Sequence, residues 1–378
     1  MKKILVLCYT DAKNDPRVYR QLLALRDTYD ITVVGLGDPQ MEGVDFYPVT
    51  GFPPKSVGEK AIRALGLLTG EYRHYLRRRY AFSAAIPQET AYDAVIVNDL
   101  EPLPLGFILA KGAPVIFDAH EYYPEQLGTV GWNTFFKRPV YNLCRELIPQ
   151  CAAMMTVSPG IAVRYEQEFG VSPSVVYNVP LYHDVSIQET NPAQIRIIHH
   201  GAALPGRKIE NMIEVLEHLD ARFSLDLMLV PLDKKYLDKL KERAQKKSRL
   251  RILDPVPMRE IVNTIKAYDI GMFLLECNTF NHTHALANKV FEFIQARLCL
   301  AVSPTPGMHS FVKETGVGVV ASDFLPQSLA GALNALGAED VMGYKCASDR
   351  MARKFTSENA MEVIRSIVTG VTENTTRL

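Results

Sequence analysis

The sequence predicts an α/β protein built as two domains, each a doubly wound parallel sheet with helices on both faces. Three observations carry this. Short apolar runs alternate with amphipathic segments along nearly the whole chain, the pattern of strands joined by crossover helices. The alternation is broken once, by a polar, proline-containing stretch from His183 to Gln194. And 378 residues are long for one core but natural for two, with a hydrophobic fraction of 47% that can fill both.

In the first half, the apolar runs place strands at Ile4–Cys8, Ile31–Leu36, Val44–Tyr47, Ala94–Val97, Val115–Phe117, Met154–Val157 and Val175–Tyr177. After the polar break they recur at Arg196–His200, Leu225–Val230, Leu250–Leu253, Ile270–Leu275, Leu298–Val302 and Val317–Val320. The expected organisation is a first domain over 1–183, a linker over 184–194, a second domain over 195–354 and a closing segment over 355–378. That last segment has helical spacing at Met361, Ile364 and Ile367. In open α/β sheets ligands bind beyond the carboxyl ends of the strands, so two such domains predict one shared cleft.

Composition excludes several classes. Lys plus Arg and Asp plus Glu both number 42, so the chain lacks the global basic field of a nucleic-acid binder. Six cysteines show no zinc-type spacing and read as buried thiols of a cytoplasmic protein. The apolar run after Met1-Lys2-Lys3 is too short for a signal peptide, and no run is long enough to cross a bilayer.

The most informative stretch is Leu286-Ala287-Asn288-Lys289-Val290-Phe291-Glu292, leading to the apolar run at Leu298–Val302. Val290, Phe291, Ile294 and Leu298 recur at helical spacing, so a helix begins near Asn288 and passes into a covered strand. Unpaired amides and the positive dipole end at such a start attract phosphate oxygens, and Lys289 adds a full charge. Glu292, one turn in, repels phosphate and suits a neutral diol such as a ribose. The alternative is an ordinary amphipathic helix with a solvated Lys and Glu. A second strand–loop–helix follows the same logic at Gly201-Ala202-Ala203-Leu204-Pro205-Gly206-Arg207-Lys208. Its glycine spacing approaches a P-loop, but Arg207 stands where that motif needs Lys and Lys208 where it needs a hydroxyl for magnesium. A P-loop NTPase is therefore rejected, and two cations remain that can neutralise a diphosphate without metal.

Together these segments resemble the C-terminal domain of retaining GT-B glycosyltransferases, in particular glycosyltransferase family 4. In that family a strand ends in glycine, a basic residue follows, and a later Asn-Lys-x-x-Glu helix start precedes a turn. The first half is similar too: Asp15-Pro16-Arg17-Val18, Asp118-Ala119-His120-Glu121, Thr156-Val157-Ser158 and Tyr177-Asn178-Val179-Pro180 match the family's N-domain segments in order. The resemblance implies a GT-B fold with an N-terminal acceptor domain, a C-terminal donor domain and a last helix that crosses back. It also implies transfer, with retention, from a nucleotide-diphosphate sugar, foremost a UDP-sugar, to a glycan or lipid-linked acceptor in cell-surface polysaccharide or glycoconjugate synthesis. No cofactor or metal is expected.

Arg207 and His120 are the expected catalytic residues. Arg207 would meet charge growing on the leaving diphosphate. His120, at the end of an apolar strand, would bond a sugar hydroxyl or stabilise the reacting centre, the alternative being a histidine satisfied by Asp118 or a loop carbonyl. The expected substrate-binding residues are Arg17, Asp99, Gly201, Lys208, His284, Asn288, Lys289 and Glu292. Arg17 reaches a donor phosphate or pairs with Asp15; Asp99 faces the acceptor or caps the next helix. The sequence departs from the family at His284, where many members carry a glutamate, and at Arg297 and Cys299, where glycine and proline are common. His282 and His284 would share a face in an extended segment, but no third metal ligand is evident. The basic, partly apolar segment Lys55–Tyr80 reads either as a membrane-surface patch, with peripheral association at the inner face, or as a solvated helix over a core stripe. Trp132, Phe135, Phe136, Lys137 and Arg138 read as an acceptor loop or plain packing. A UDP-sugar epimerase or hydrolase of the same fold, and a non-catalytic sugar-nucleotide binding protein, are the competing functions.

Overall fold

The computed structural model describes residues 1–49, 90–126 and 130–374. The basic segment 55–80 and the side chains of Trp132 and Phe135 lie outside the described residues. The chain divides into two compact units, one of Met1–Asn178, Thr279–Asn281 and Asn359–Leu378, the other of Val179–Asn278 and His282–Glu358.

The first unit holds a seven-stranded sheet in the order β3-β2-β1-β4-β5-β6-β7, every pair parallel. The strands are β1 (Lys3–Asp11), β2 (Asp30–Gly37), β3 (Val44–Pro48), β4 (Ala94–Asn98), β5 (Val115–Ala119), β6 (Ala153–Thr156) and β7 (Ser174–Val175). Central strands buried on both faces need continuous apolar runs, and Ile4–Cys8, Ala94–Asn98 and Val115–Ala119 are buried throughout. The seventh strand is shorter than its apolar run suggests, because the Tyr177 carbonyl accepts from Arg20 Nη1 at 3.2 Å rather than extending the ladder. Helix Pro16–Leu25 starts on Asp15, whose carboxylate caps the Arg17 amide, and buries Val18, Leu22 and Leu25. Ile364 and Val368 of the terminal helix Ser357–Asn374 complete that core, and Arg365 Nε donates to the Ala24 carbonyl at 2.8 Å. Phe136 packs on the core of this unit and Lys137 pairs with Glu125 at 3.0 Å.

The second unit holds six parallel strands, β10-β9-β8-β11-β12-β13. They are β8 (Ile195–Ala202), β9 (Phe223–Val230), β10 (Leu250–Leu253), β11 (Ile270–Phe273), β12 (Cys299–Val302) and β13 (Gly318–Val320). Strand order reverses between β8 and β11, which opens a crevice at their carboxyl ends. Helix Asn288–Gln295 lies so close on β11 that a Cβ at Gly271 would stand 2.3 Å from the Phe293 ring. The stretch before β8 forms no helix or strand beyond one bridge, Asn191 to Gln194, yet it is anchored. Thr190 Oγ1 donates to Asp269 Oδ1 at 2.9 Å, and the same oxygen takes buried Lys345 Nζ at 3.0 Å. The cysteines divide more finely than expected: Cys8, Cys144 and Cys299 are buried, whereas Cys277 is exposed because it lies in the loop after β11.

Arg297 replaces the turn glycine of the resembled family and adopts the left-handed backbone itself, at φ 60°. Its buried guanidinium offsets that strain. It donates to Asp349 Oδ1 at 2.6 Å, to the Gln295 carbonyl at 2.5 Å and to the His183 carbonyl at 2.9 Å. Replacing Arg297 with Ala should keep the strain and strip those donors, lowering stability by roughly 2 to 4 kcal/mol. Arg297→Gly should lose about 1 kcal/mol less, having no left-handed penalty. Urea unfolding midpoints of the two variants test this, and equal losses would remove the backbone term.

Candidate active site

In the second unit, β8 delivers Gly201 at φ 139°, a backbone conformation that favours glycine. A Cβ there would stand 2.9 Å from Lys289 Nζ. The Lys289 ammonium is enclosed, 4.6 Å from the centre of the Phe273 ring, while its stem is partly exposed. Burial pushes its pKa down to about 8, the nearby Arg207 charge adds to the depression, and Glu292 opposes it. Arg207 is exposed and sits at the end of a short turn of helix, Pro205–Arg207, where Lys208 is left-handed at φ 44°. Lys208 Nζ is already paired with Glu276 Oε1 at 2.6 Å. The loop amides are occupied as well: Arg207 donates to the Leu204 carbonyl, Lys208 to the Pro205 carbonyl, and Ile209 to the Tyr236 hydroxyl at 2.9 Å. An anion at this loop therefore meets side-chain cations. At helix Asn288–Gln295 the amides of Asn288 and Lys289 make no hydrogen bond among the described residues, and no side chain caps the start.

Glu292 lies deeper. Its side chain is 13% exposed and Oε2 stands 3.2 Å from His200 Nε2. Burial pushes Glu292 up to about 7, with Lys289 pulling the other way. Burial, then Lys289, pushes His200 down to about 3, so the imidazole is neutral. His199 is neutral too, driven well below its usual range chiefly by burial, and its Nδ1 lies 2.9 Å from the Met272 carbonyl. Arg207, Lys208, Glu276, His282, Ser303 and Phe324 border a shallow hollow open to solvent. Gly201, His284, Asn288, Lys289 and Glu292 do not line it; the charges of Arg207 and Glu292 both act on Lys289. Asn288 is exposed at the helix start, and His284 ends the short helix Phe280–His284, packed so closely that a Cβ at Gly307 would stand 2.9 Å from its backbone. That helix corrects the extended reading of His282 and His284, which on a helical turn project in different directions. Among the described residues no three His, Cys, Asp or Glu side chains are grouped as a metal site. His200 was not singled out from sequence; the signal was a histidine pair at the end of a buried strand just before the critical glycine.

In the first unit, the carboxyl ends of β1, β4 and β5 gather Asp15, Arg17, Asp99, Asp118 and His120. His120 is enclosed, its side chain 2% exposed, with Nδ1 3.0 Å from Asp99 Oδ1 and Nε2 3.5 Å from Asp118 Oδ2. Burial disfavours the imidazolium, but the two carboxylates outweigh it and hold His120 up at about 10. Asp99 is correspondingly held down at about 2: burial would raise it, and the His120 charge and the hydrogen bond from the Tyr123 hydroxyl prevail. Asp99 caps no helix; it takes a left-handed backbone at φ 72°, and helix Leu103–Ala110 begins at Pro102 without a side-chain cap. Asp118 is held by Gln21, whose Oε1 accepts from Asn98 Nδ2 at 3.0 Å. Arg17 pairs with Asp15 at 3.1 Å and feels Asp99 and Asp118. Both His120 nitrogens thus lie opposite carboxylates, Asp99 the nearer. Asp99, at 28%, is the most exposed of these three.

The family model described as Glycosyltransferase Family 4 matches residues 17–180. No curated protein matches the sequence. Among solved structures, Anabaena Alr3699/HepE in complex with UDP and glucose is 14% identical with TM-score 0.62, each chain covered over 100% of its length. The α,α-trehalose 6-phosphate synthase from Burkholderia multivorans is 11% identical with TM-score 0.66, covering 100% of this chain and 99% of that one. A glycosyltransferase from Rickettsia africae ESF-5 is 12% identical with TM-score 0.65, covering 97% and 98%. Likeness at this level of identity establishes the fold, two parallel-sheet α/β units of GT-B type.

The His120 clamp has a pH signature. A histidine held up at about 10 contributes stability that is full below its unfolded value of about 6.5 and is lost as pH rises through about 10. Thermal unfolding midpoints should therefore decline across that window in the parent. In His120→Gln the midpoint should be lower near neutrality and the decline absent; an unchanged decline assigns it to other groups.

Proposed function

We propose that this chain is a retaining glycosyltransferase that takes its sugar from a nucleotide diphosphate, foremost a UDP-sugar, and passes it to a glycan or lipid-linked acceptor in cell-surface polysaccharide or glycoconjugate synthesis. The observation that carries the donor half is the Lys289 ammonium set beside Gly201 at the carboxyl end of β8, with the Arg207 charge near enough to depress it. An enclosed ammonium whose pKa is depressed by burial and by a second cation is relieved by an anion, and two adjacent cations match a pyrophosphate. The exposed amides of Asn288 and Lys289 add donors at the positive end of a helix. The fold shared with HepE, a protein solved with UDP and with UDP-glucose, and the Family 4 match support the same reading.

The chemistry follows from charge. As the bond between the anomeric carbon and the phosphate oxygen breaks, negative charge grows on the leaving diphosphate. Arg207, exposed on its loop, is our choice for meeting that charge; Lys289 fixes the diphosphate, and Glu292 accepts from a diol of the nucleoside. Lys208 joins when the ligand competes with Glu276 for it. Asp99 is the group presented to the acceptor side by the first unit, with His120 as a positioning residue that holds it ionised. The two cations supply the charge compensation, so no metal is assigned to the step.

Thermal-shift titration with UDP-, GDP- and ADP-sugars should single out the UDP series. Arg207→Ala should lower turnover by roughly two to three orders of magnitude while leaving the unfolding midpoint near the parent's, since one such donor is typically worth about 3 to 4 kcal/mol. A nearly unaltered rate removes Arg207 from the mechanism. The donor kcat/KM should follow a narrow bell, because Glu292 accepts from a diol only when ionised, above about 7, and Lys289 is charged only below about 8. Glu292→Gln should erase the acid limb and Lys289→Met the alkaline one; limbs that survive belong to other residues.

A further inference from the structure

Near the carboxyl end of β8 two polar side chains meet and neither is satisfied. His200 is the last buried residue of that strand, 5% exposed, with its ring edge-on to Phe293 at 5.4 Å between centres. Its Nε2 is sealed from solvent and makes no hydrogen bond, although Glu292 Oε2 stands 3.2 Å away. The Glu292 carboxylate likewise accepts no hydrogen bond among the described residues. That absence of donors is why burial prevails there against the pull of Lys289.

A buried polar atom left unpaired is costly, and a hydrocarbon side chain at position 200 would remove the cost. What the nitrogen offers instead is a donor beside Glu292. The carboxylate turns about χ3, a broad torsion, so a small rotation aligns Oε2 with Nε2–H and leaves the other oxygen for a ligand. Burial keeps the imidazole neutral, and in its Nε2–H tautomer it donates without adding a charge beside Lys289. We infer that His200 is a positioning residue, fixing one oxygen of Glu292 so that the other accepts from the vicinal diol of the donor nucleoside. This rests on the donor reading above and deepens it, making the preference for ribose over a deoxy sugar a property of the His200–Glu292 pair. Because Nε2 is closed off, it acts through Glu292 and not on the ligand.

The test is calorimetric titration of the full chain with UDP and with 2′,3′-dideoxy-UDP. The parent should prefer UDP by at least about tenfold, the size of a hydrogen bond to a charged group. His200→Phe, or His200→Leu if the larger ring does not fit, should cut that preference to about threefold or less by weakening UDP while leaving the dideoxy compound unchanged. His200→Gln, whose amide nitrogen reaches the same place, should restore most of it. Glu292→Ala should lose the preference, and adding His200→Phe to it should change nothing more. Apolar variants at 200 that keep the full preference, or a further loss in the Glu292→Ala background, overturn the inference and leave the donor reading standing. A parent that binds both compounds equally removes Glu292 from the diol and the inference with it. A parent with no affinity for UDP overturns the donor reading itself, and both fall together.

Discussion

A lysine ammonium set against the face of Phe273, beside a glycine at φ 139° and under the charge of Arg207, is the constraint on which the second unit's site turns. Desolvating a charge is costly unless something compensates it, and here the protein provides only a partial answer in Glu292. The fold maintains the arrangement because its parts are fixed by the core. Gly271 lets helix Asn288–Gln295 sit directly on β11, and Val290, Phe291, Phe293 and Ile294 bury the rest of that helix. On the proposed reading the cation is in place before an anion arrives, the preorganisation on which electrostatic catalysis depends.

The first unit solves the opposite problem. There the carboxylates are in excess, and an enclosed imidazolium is placed between two of them. The result is a rigid, ionised Asp99 on a left-handed backbone, the kind of local strain that persists when surrounding contacts over-determine it. Gln21, Asn98 and Tyr123 supply the outer hydrogen bonds, so the charge cluster is specified from three strands and one helix at once.

Much of this was legible in the residue order. Twelve of the thirteen described strands coincide with apolar runs and β7 overlaps its run at Val175 alone, because central parallel strands are buried on both faces, and Asp15-Pro16 marks a helix start through capping chemistry alone. Arg207, Gly201, Lys289 and Glu292 could be nominated because strand–loop–helix junctions have a recognisable pattern and a known polarity. His200 could not, because its meaning comes from lying beside Glu292, more than ninety positions away in the chain. Nor could the contact of His120 with Asp99, which reaches it from the end of the neighbouring strand; only Asp118, two positions earlier on its own strand, could be nominated. Arg297 looked like a missing glycine and is in fact a strained turn compensated by contacts to Asp349, Gln295 and His183.

The amino-acid order by itself determined the alternation of strands and helices, the two-unit division and the junctions where basic residues meet helix starts, since periodicity and capping are local and need no partner to be read. Tertiary structure alone decided which of those residues are charged, enclosed or already paired. Protonation depends on burial and on neighbours brought together by sheet order, as when Lys289 is held at about 8 and His120 at about 10, and those are properties of three-dimensional distance.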